Sequence, residues 1–507
     1  MSLVRPSLLA ALWLTLSACA TTSSLAPPVP AAALDEATVD AIVARATRQW
    51  PVPGLAVVVV KDGQVLLAKG YGVRTLGSPQ PVDADTLFAI ASLSKAFTAT
   101  GVGMLVQDGK LQWDDKVVTH LPSFALSDPA ITSQVTVRDL LTHRVGLPTF
   151  GGDVLWFLSD LDRPSVLRSI RHVPLGFPFR SGYGYSNLMY LTAGELFGAT
   201  TGQGWEEFTR ARILGPLGMT RTAMTLAEAQ TRPNRATAHT NIDQVGFHAL
   251  PDRNVDVVGA AASMYSSANE LGRWLLAQLG RGQLDGRRIL SQELMDETWT
   301  VQNALRVLPV VRGYSPSTHF NGYGLGWFLG DYAGRMIARH GGALSGMYSF
   351  AMVVPEEHLA VAVLTNADSH GLYAAVPWAI VDAALGKTDT DWVAVYRSLE
   401  RTPPILPAGH AISPQDFPRF AGRYLSPHYG ALTVSAQEGQ LRVTSQLHPS
   451  LSCLLSSVSA RVLRCPWSIV EFGVSDLTFR EDLQGFSVEF HPTFIDNLTY
   501  EFVRQPR

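Results

Sequence analysis

The chain has 507 residues, of which 46% are hydrophobic and 16% are charged, a composition typical of a folded protein rather than a disordered one. This length predicts a large core and more than one domain. The formal net charge of −3 gives no indication of a nucleic-acid partner. The 13 histidines are scattered, and the three cysteines form no Cys/His cluster with the spacing of zinc ligands. We therefore predict neither a metal nor a cofactor.

The N-terminal segment, residues 1–18, carries Arg5 and then a short apolar run, which is typical of a secretory signal peptide. The run is too short for a stable membrane-spanning helix. It ends in a Leu-Ser-Ala sequence before Cys19, which resembles the bacterial lipobox, in which the cysteine is lipidated and becomes the mature N-terminus. We therefore expect an exported bacterial lipoprotein, anchored through Cys19 to a membrane on its periplasmic or other extracytoplasmic side. The alternative is a plain signal peptide with a chance cysteine.

The globular part follows a flexible tether, residues 19–34, that is rich in Pro, Ala, Ser and Thr. A helix is predicted from Asp35 to about Trp50. Two β-rich runs come next, in residues 54–72, and the Asp-Gly dipeptide that begins at Asp62 predicts a hairpin between them.

Residues 86–107 are apolar on every side and predict one buried helix, which Gly109 ends. Ser92 and Lys95 lie three residues apart in this segment and so share a helix face. Burial disfavours the charged form of lysine and lowers its pKa by ~3–5 from ~10.4, so this amine can take a proton from a neighbouring hydroxyl near neutral pH. The pair alone is a weak signal, because a lysine near a helix end can also extend to the surface.

The rest of the first domain combines helix and strand patterns. Residues 136–148 predict a short helix, and His143 within them is interpreted as a structural turn residue. Residues 181–202 predict a loop followed by an apolar helix. Further helices are predicted in 206–222, 259–279 and 374–385, and strand-like runs in 322–331, 335–356 and 359–368, of which the last two are expected to be neighbours.

The pattern changes after residue 385. Residues 386–413 contain three prolines and predict a linker. Residues 414–507 show short alternating runs separated by turns, which predict a small antiparallel β-barrel-like domain. Cys453 and Cys465 lie in this domain, and in an exported protein they can form a disulfide, although both can equally be buried free thiols. The first domain accordingly spans 35–385.

Three short segments occur in order along the chain: Ser92-Leu93-Ser94-Lys95, Tyr185-Ser186-Asn187 and His340-Gly341-Gly342. With flanking stretches at 139–148, 215–222 and 323–327, they resemble the serine β-lactamase and penicillin-binding-protein-like superfamily, close to class C β-lactamases, D-alanyl-D-alanine carboxypeptidases, D-aminopeptidases and family VIII esterases. The resemblance covers residues 36–385. It implies an α+β fold, an α/β sandwich of an antiparallel sheet with a helical subdomain. The C-terminal domain resembles, more loosely, the lipocalin-like β domain of some members.

The resemblance also implies roles for these residues. Ser92 would be the nucleophile and Lys95 the desolvated base one turn on. Tyr185 would be a proton shuttle, as a phenol whose pKa falls beside the ammonium. Asn187 would orient the lysine and a substrate amide. The oxyanion would rest between the backbone N–H groups of Ser92 and Ala343.

The third segment departs from the family pattern. Most members have Lys-Thr-Gly where this chain has His340, Gly341 and Gly342, and the lysine binds the carboxylate of the substrate. A neutral imidazole is a poor permanent cation near pH 7. We therefore expect weak binding of penicillins and of peptides that end in free D-Ala, and we favour esters or D-amino-acid amides and peptides as substrates.

The sequence thus predicts a serine hydrolase that acts through an acyl-enzyme on a small peptide, amide or ester. No Gly-x-Ser-x-Gly segment is present, which excludes an α/β-hydrolase. Two alternatives remain open: a protein of this fold that binds cell-wall fragments without turnover, and a true β-lactamase. A filament-forming scaffold is a third alternative, against which the lipobox argues.

Overall fold

The computed structural model describes residues 34–400, 409–482, 485–490, 496 and 498–506. The expected signal peptide, the lipidated Cys19 and almost all of the tether lie outside the described residues. Within the described ranges no helix is both long and apolar enough to cross a bilayer. The predicted fold class is confirmed, with an α/β domain followed by a C-terminal antiparallel β domain.

An eight-stranded antiparallel sheet, here called the main sheet, forms the centre of the first domain. Two of its inner strands are buried along almost their whole length because other elements cover both faces of the sheet. The predicted hairpin at Asp62 is confirmed. In order across the sheet, the strands are Gln64–Gly72, Gly54–Lys61, Leu359–Thr365, Met347–Val354, Arg335–Leu344, Phe328–Tyr332, Asn321–Tyr323 and Asn303–Leu305.

The outer face of the main sheet is covered by helices from the two ends of the domain. Glu36–Gln49 matches the predicted N-terminal helix, and the Asp35 side chain caps it by accepting a hydrogen bond from the Thr38 amide at 2.8 Å. This helix packs against Leu372–Ala384, which matches the predicted helix at 374–385. Together they bury the outer side chains of the sheet in one apolar cluster.

A further helix, Trp392–Leu399, lies inside the segment predicted as a linker. Its Trp392 ring stacks on Trp378 with ring centroids 5.0 Å apart. Its N-cap, Asp391, forms an ion pair with Arg45 of the N-terminal helix at 2.5 Å. These residues therefore pack on the first domain, and residues 401–408 of the predicted linker 386–413 lie outside the described residues.

The inner face of the main sheet packs against a helical subdomain, which contains the predicted helices at 136–148, 181–202, 206–222 and 259–279. Its helices are Ser94–Gln107, Val117–His120, Pro129–Thr132, Val137–Leu141, Arg163–Ser169, Asn187–Thr201, Trp205–Thr209, Gly215–Leu217, Leu226–Gln230, Gly259–Ala262, Ala268–Leu279 and Gln292–Thr298, with a π-helical segment at Arg210–Leu214. The short helix Pro309–Tyr314 lies instead on the outer side of the sheet, where the Tyr314 ring contacts Trp392. Short ribbons pair Phe88–Ala89 with Tyr265–Ser266, His239–Thr240 with His248–Ala249, and Gln283–Leu284 with Arg287–Arg288.

The single helix predicted over 86–107 is wrong in its first half. Phe88–Ala89 is a short strand, Ala91–Leu93 is a 3₁₀ turn, and the helix begins only at Ser94. The reason is tertiary, because the strand pairs with Tyr265–Ser266, which is remote in sequence, and this pairing overrides the local apolar pattern.

Two of the predicted strand-like runs, 322–331 and 335–356, each contain two strands. Gly326 (φ 80°) and Gly346 (φ 75°) adopt the left-handed backbone that glycine favours, and each lies in the turn between two strands. The predicted pairing of the last two runs is confirmed, because Met347–Val354 lies beside Leu359–Thr365.

The C-terminal domain is a nine-stranded antiparallel sheet that closes almost into a barrel. A disulfide joins Cys453 and Cys465, whose Cα atoms are 5.5 Å apart. The two edge strands follow each other directly in sequence, which brings the edges together. In sheet order, the strands are Ser452–Leu454, Gln440–Ser445, Gly430–Gln437, Gly422–Ser426, Tyr500–Arg504, Gly485–Phe490, Val474–Asp482, Val462–Pro466 and Ser456–Ser457, and a short helix, Phe417–Phe420, precedes them.

Candidate active site

Ser92 lies in the 3₁₀ turn that leads into the Ser94–Gln107 helix. The residue before it, Ala91, has a φ of 46°, a left-handed conformation that costs a non-glycine residue ~1–3 kcal/mol and persists only where surrounding contacts hold it. Those contacts are at Ile90, whose amide donates to the Met264 carbonyl at 2.9 Å. The turn thus presents a partly exposed Ser92 hydroxyl from a fixed backbone.

Lys95 is fully buried one turn later, as predicted. Its Nζ lies 3.1 Å from Ser92 Oγ and donates to Asn187 Oδ1 at 2.7 Å and to the Ala261 carbonyl at 3.1 Å. Burial lowers the pKa of Lys95 to about 7, although the charge of Asp153 opposes the change. A neutral Lys95 keeps the two donated bonds and directs its lone pair at Ser92, which is the geometry of a general base.

Tyr185 lies beside this pair but differs from the prediction in its protonation. The Lys95 Nζ is 4.7 Å from the centroid of the Tyr185 ring. Burial raises the pKa of Tyr185 well above its usual value, and a hydrogen bond with Ser92 opposes the rise only in part. The predicted fall of the phenol pKa is therefore wrong, because desolvation outweighs the nearby amine. Near neutral pH the Tyr185 hydroxyl is a proton donor.

Asn187 is the first residue of the Asn187–Thr201 helix, which Ser186 caps. Its Oδ1 accepts the bond from Lys95, as predicted. One N–H of its amide donates to Asp153 Oδ2 at 2.6 Å, so the amide has a partner inside the protein besides any substrate. Asn187 therefore connects Lys95 to Asp153.

Asp153 was not among the residues predicted from the sequence. It is 3% exposed, and its partners are neutral donors, Asn187 and the Trp156 indole, whose Nε1 donates to Oδ1 at 2.9 Å. Burial raises the pKa of Asp153 to about 8, although these two hydrogen bonds oppose the rise. The available signal was an acidic residue at the start of the apolar run 153–158, since acidic residues are rarely buried without a specific role.

His340 lies on the Arg335–Leu344 strand and is 2% exposed. Its Nδ1 is 2.7 Å from the Gly341 carbonyl and so carries the proton, and its Nε2 accepts from the Tyr323 hydroxyl at 3.1 Å. Burial and the charge of Lys95 lower the pKa of His340 to about 3. The imidazole is therefore neutral near pH 7, as expected from the sequence.

The glycines after His340 let this strand approach the nucleophile turn. A Cβ on Gly342 would lie 2.2 Å from the Ile90 carbonyl oxygen, so no larger residue fits there. At Gly341 a Cβ would meet only ring atoms of Phe350 and Tyr373 at ordinary contact distance. Ala343 follows on the strand and is exposed. Its predicted N–H contribution to an oxyanion site, with that of Ser92, stays a prediction.

His143 lies next to this site in a structural position. Its ring is surrounded by tyrosines, with the Tyr185 centroid 4.4 Å and the Tyr323 centroid 4.7 Å away, and its Nδ1 accepts from the Ser186 amide at 3.0 Å. Burial, with the charges of Lys95 and His340, lowers its pKa well below the usual value. It thus holds the turn that carries Tyr185 and Ser186. No three His, Cys, Asp or Glu residues in the described ranges are grouped so as to hold a metal.

The profile of the family described as Beta-lactamase matches residues 39–385, which is most of the chain and includes every active-site residue named above. The chain belongs to the β-lactamase family. It is a serine hydrolase of the β-lactamase and penicillin-binding-protein family.

This β-lactamase-family chain is similar in sequence to a protein named as a hydrolase and to one named as a penicillin-binding protein. It is 29% identical over 430 residues to the unguisins hydrolase ungD′ of Aspergillus campestris, covering 78% of this chain and 76% of the relative. It is 31% identical over 327 residues to penicillin-binding protein 4 of Amycolatopsis lactamdurans, covering 62% of this chain and 81% of the relative.

Solved structures show the same fold. The octameric penicillin-binding protein homologue from Pyrococcus abyssi is similar over both domains, with a TM-score of 0.62, 20% identity, and coverage of 92% of this chain and 99% of that one. The D-amino acid amidase from Ochrobactrum anthropi SV3, complexed with L-phenylalanine amide, has a TM-score of 0.56 and 26% identity over 69% of this chain and 96% of that one.

Proposed function

We propose that this β-lactamase-family hydrolase cleaves D-amino-acid amides or peptides, or esters, through an acyl-enzyme on Ser92, and that β-lactams are poor substrates. The observation that carries the proposal is the contact between the Lys95 amine and the Ser92 hydroxyl at 3.1 Å, inside a pocket that brings the pKa of Lys95 to about 7. A serine beside a base of this pKa is an activated nucleophile.

In the proposed acylation, Ser92 Oγ bonds to the substrate carbonyl carbon while its proton passes to Lys95 Nζ. The negative charge that develops on the carbonyl oxygen is stabilised by the N–H groups of Ser92 and Ala343. The carbonyl then re-forms, and the leaving amine or alcohol departs with a proton from Lys95, which the protonated Tyr185 can relay. Water attacks the resulting ester with Lys95 again as base, which releases the acid and restores Ser92.

The substrate class rests on the neutral His340. A permanent cation at this position would attract a substrate carboxylate, and an imidazole with a pKa of about 3 carries no charge at neutral pH. Substrates without a carboxylate at the contacting end are therefore favoured. The neighbour named as a D-amino acid amidase supports amide substrates, and the relatives named as unguisins hydrolases support a hydrolase.

The test is labelling of the purified protein with a fluorophosphonate, followed by a substrate panel of D-phenylalanine amide, p-nitrophenyl acetate and a chromogenic cephalosporin. We expect labelling of wild type but not of Ser92→Ala, with Ser94→Ala as the matched control that retains labelling. Turnover of the amide or ester at a kcat/KM well above that of the cephalosporin would support the substrate class. Efficient cephalosporin hydrolysis would contradict it, and labelling without any turnover would favour a binding protein.

We also propose that the chain is exported and anchored through a lipid on Cys19. The lipobox-like sequence before Cys19 supports this, as does the disulfide between Cys453 and Cys465, because disulfides persist mainly in oxidising compartments. Metabolic labelling with a palmitate analogue in a bacterial host tests it. The full chain should incorporate the label and Cys19→Ser should not, whereas label in neither would exclude the anchor.

A further inference from the structure

Two side chains of the C-terminal domain form hydrogen bonds with the segment that carries Asp153. The Asp496 carboxylate accepts a hydrogen bond from the Gly152 amide at 2.8 Å. The His448 Nε2 lies 3.1 Å from the carbonyl oxygens of Val154 and Phe157. The segment is thus held on both sides of Asp153 by side chains of the other domain.

Both side chains, Asp496 and His448, are also held by hydrogen bonds inside their own domain. Asp496 is 2% exposed and also accepts from the Tyr500 hydroxyl at 2.5 Å. His448 is fully buried, and its Nδ1 accepts from the Tyr429 hydroxyl at 2.8 Å, so its proton lies on Nε2 and is donated to the segment. Burial lowers the pKa of His448 to about 4, which keeps this arrangement at neutral pH.

A continuous series of contacts leads from these interdomain hydrogen bonds to the Lys95 amine beside Ser92. Asp153 accepts from the Asn187 amide at 2.6 Å, and Asn187 accepts from Lys95 Nζ at 2.7 Å. Building on the proposed function, we propose that Asp496 and His448 are positioning residues that, through Asp153 and Asn187, hold the Lys95 amine against Ser92. The C-terminal domain is then part of the catalytic apparatus without touching the substrate, and small displacements of catalytic groups are costly to rate.

The experiment compares, in the full chain, the rate at which a fluorophosphonate phosphonylates Ser92, with release of fluoride, and the rates of acylation and turnover with an ester. We expect His448→Phe and Asp496→Ala to slow acylation and to lower kcat by roughly 10-fold or more, with KM changed less than about threefold, because the substrate contacts are unaltered. His448→Gln, whose amide can donate to the same carbonyls, should recover most of the rate. The matched control is Arg253→Met, which breaks the ion pair between the domains at Glu471, 2.5 Å long, and should leave the rate near wild type.

Wild-type rates in both His448→Phe and Asp496→Ala would overturn this inference while leaving the proposed function intact, whereas failure of the wild type itself to be labelled would refute the proposed function. An equal loss in Arg253→Met would also overturn it, because domain docking in general would then be the cause. Thermal unfolding checks that each variant is folded. If His448→Phe is unfolded, the contrast between Asp496→Ala and Arg253→Met decides.

A second, independent feature lies on the outer face of the main sheet. A cavity of about 100 Å³ opens there, and the residues that line it include Arg339 and a wall of aromatic rings: Tyr314, Tyr332, Trp378, Trp392 and Tyr396. Arg339 directly precedes His340 on its strand, and successive strand residues point to opposite faces. The cavity is therefore separated from the active site by the sheet.

Arg339 has no hydrogen bond or ion pair with any described residue; its guanidinium lies over the Trp378 ring, 5.7 Å from the centroid. Burial lowers its pKa, and the nearby groups that oppose this are the phenols of Tyr396 and Tyr314 rather than a carboxylate. The Asn321 Oδ1 in the same cavity is also buried without a described partner. Arg339 is partly buried, and the carboxylate of Asp331, which also lines the cavity, accepts from the His319 and Phe320 amides instead. The guanidinium therefore has no counter-charge among the described residues.

The geometry points to a binding site for a small carboxylate with an aromatic or branched apolar group. Its carboxylate would pair with the planar guanidinium of Arg339, and its apolar part would lie against Trp378 and Trp392. Gly330 leaves room at this point, because a Cβ there would lie 3.5 Å from Arg339 Nη1 and 3.8 Å from Asn321 Oδ1.

Tryptophan fluorescence titration with phenylacetate, and with the neutral phenylacetamide as control, tests this site. We expect saturable binding of phenylacetate at least tenfold tighter than that of phenylacetamide, loss of that preference in Arg339→Gln, and partial retention in Arg339→Lys. Because Arg339→Gln removes a charge without a partner, its melting temperature should not fall. Equal binding of the two ligands, an unchanged preference in Arg339→Gln, or a clearly lower melting temperature of that variant would each overturn the site.

Discussion

Two buried aspartates in the helical subdomain show how differently the same side chain can be held. Asp139 has a fully buried side chain and accepts hydrogen bonds from Arg144 at 2.6 Å, from Arg180 at 2.6 Å and from the Thr136 amide at 2.9 Å. Burial alone would raise its pKa, but these bonds together lower it below the ordinary value. Asp153 is buried to a similar degree, has neutral donors as partners, and has a pKa raised to about 8.

The difference distinguishes a carboxylate that stays charged and supports the fold from a carboxyl group whose pKa lies near neutrality. Asp139 stays ionised near neutral pH, because two arginines compensate its desolvation, and it fixes the turn at Thr136 to the loop at Arg180. Asp153 and Lys95 have no direct ionic partner among the described residues, and both have pKa values near neutrality. Groups of this second kind cluster at functional sites.

The largest effect is expected at Lys95. Lys95→Met fills the same space with an uncharged side chain and removes the base, so acylation of Ser92 should slow by roughly 10²–10⁴-fold. Stopped-flow reaction with p-nitrophenyl acetate measures the rate of acylation, and thermal unfolding checks the fold. The wild-type rate should also rise with pH through about 7, because only the neutral amine accepts the proton. A pH-independent rate in wild type, or a rate in Lys95→Met near that of wild type, would contradict this role.

Asp139→Asn should cost stability rather than rate. Removing one partner of a buried ion cluster leaves Arg144 and Arg180 uncompensated, and we expect a loss of about 3 kcal/mol in the free energy of unfolding at pH 7, at the lower end of the usual range because both arginines reach solvent. The pKa of Asp139 is depressed on folding, so its stabilisation is present above pH ~3.9 and is lost as the pH falls further.

Urea unfolding at several pH values measures this dependence. The loss caused by Asp139→Asn should be full at pH 7 and should shrink as the pH falls below ~3.9. Acylation per folded molecule should change little, because Asp139 contacts none of the proposed catalytic groups. A stability loss of the same size at low pH would show that packing, not charge, accounts for it.

Asp153→Asn should show the opposite pH dependence. The folded pKa of Asp153 is raised to about 8, so its contribution to stability is fully present below pH ~3.9 and is lost progressively as the pH rises to about 8. The asparagine side chain in the variant does not titrate. The variant should therefore be less stable than wild type by ~1 kcal/mol at low pH, because one acceptor is replaced by a donor. Between pH ~3.9 and about 8 it should gain stability relative to wild type by up to about 1.4 kcal/mol for each pH unit, and above that range the gain should stop.

The measurement is again urea unfolding, now of wild type and Asp153→Asn at a series of pH values from acid to mildly alkaline. If the free energy of unfolding changes with pH in the same way in both proteins, then folding does not raise the pKa of Asp153. The contrast with Asp139 would then be wrong.

Sequence reasoning could reach Lys95 and not Asp153 for a physical reason. Lys95 lies three residues from Ser92 in an apolar segment, so both its burial and its partner are local information. The partners of Asp153 are Asn187 and Trp156, and the Asp496 charge comes from the other domain, so its environment depends on tertiary packing. The same limit explains why the strand at Phe88 was predicted as helix.

The protonation of Tyr185 illustrates the second limit. Its proximity to Lys95 was implied by the family resemblance of the three segments, but the direction of its pKa depends on whether desolvation or the amine dominates. That balance depends on how many atoms surround the hydroxyl, which the local sequence does not determine. The strands and the C-terminal β domain were predictable because alternation and turn residues are local patterns.

The smallest effect on chemistry is expected at His340, the third titratable group in the buried site. Its pKa of about 3 keeps it neutral through the neutral range of pH, so its removal changes no charge near Lys95 there. His340→Gln, which can still accept from the Tyr323 hydroxyl, should acylate with a neutral ester within about threefold of wild type, a change below ~1 kcal/mol in the barrier. His340→Ala should alter the ratio of ester to D-amino-acid amide turnover more than it alters the rate at which a fluorophosphonate phosphonylates Ser92. The rise of rate with pH near 7 should persist in both variants, because it arises from the titration of Lys95.

One outcome would contradict this role of His340. If His340→Ala abolishes acylation by every ester while His340→Gln does not, then the hydrogen bond from Tyr323 is needed for the chemical step. The contrast between Lys95, which titrates near pH 7, and His340, which stays neutral there, would then no longer explain the chemistry.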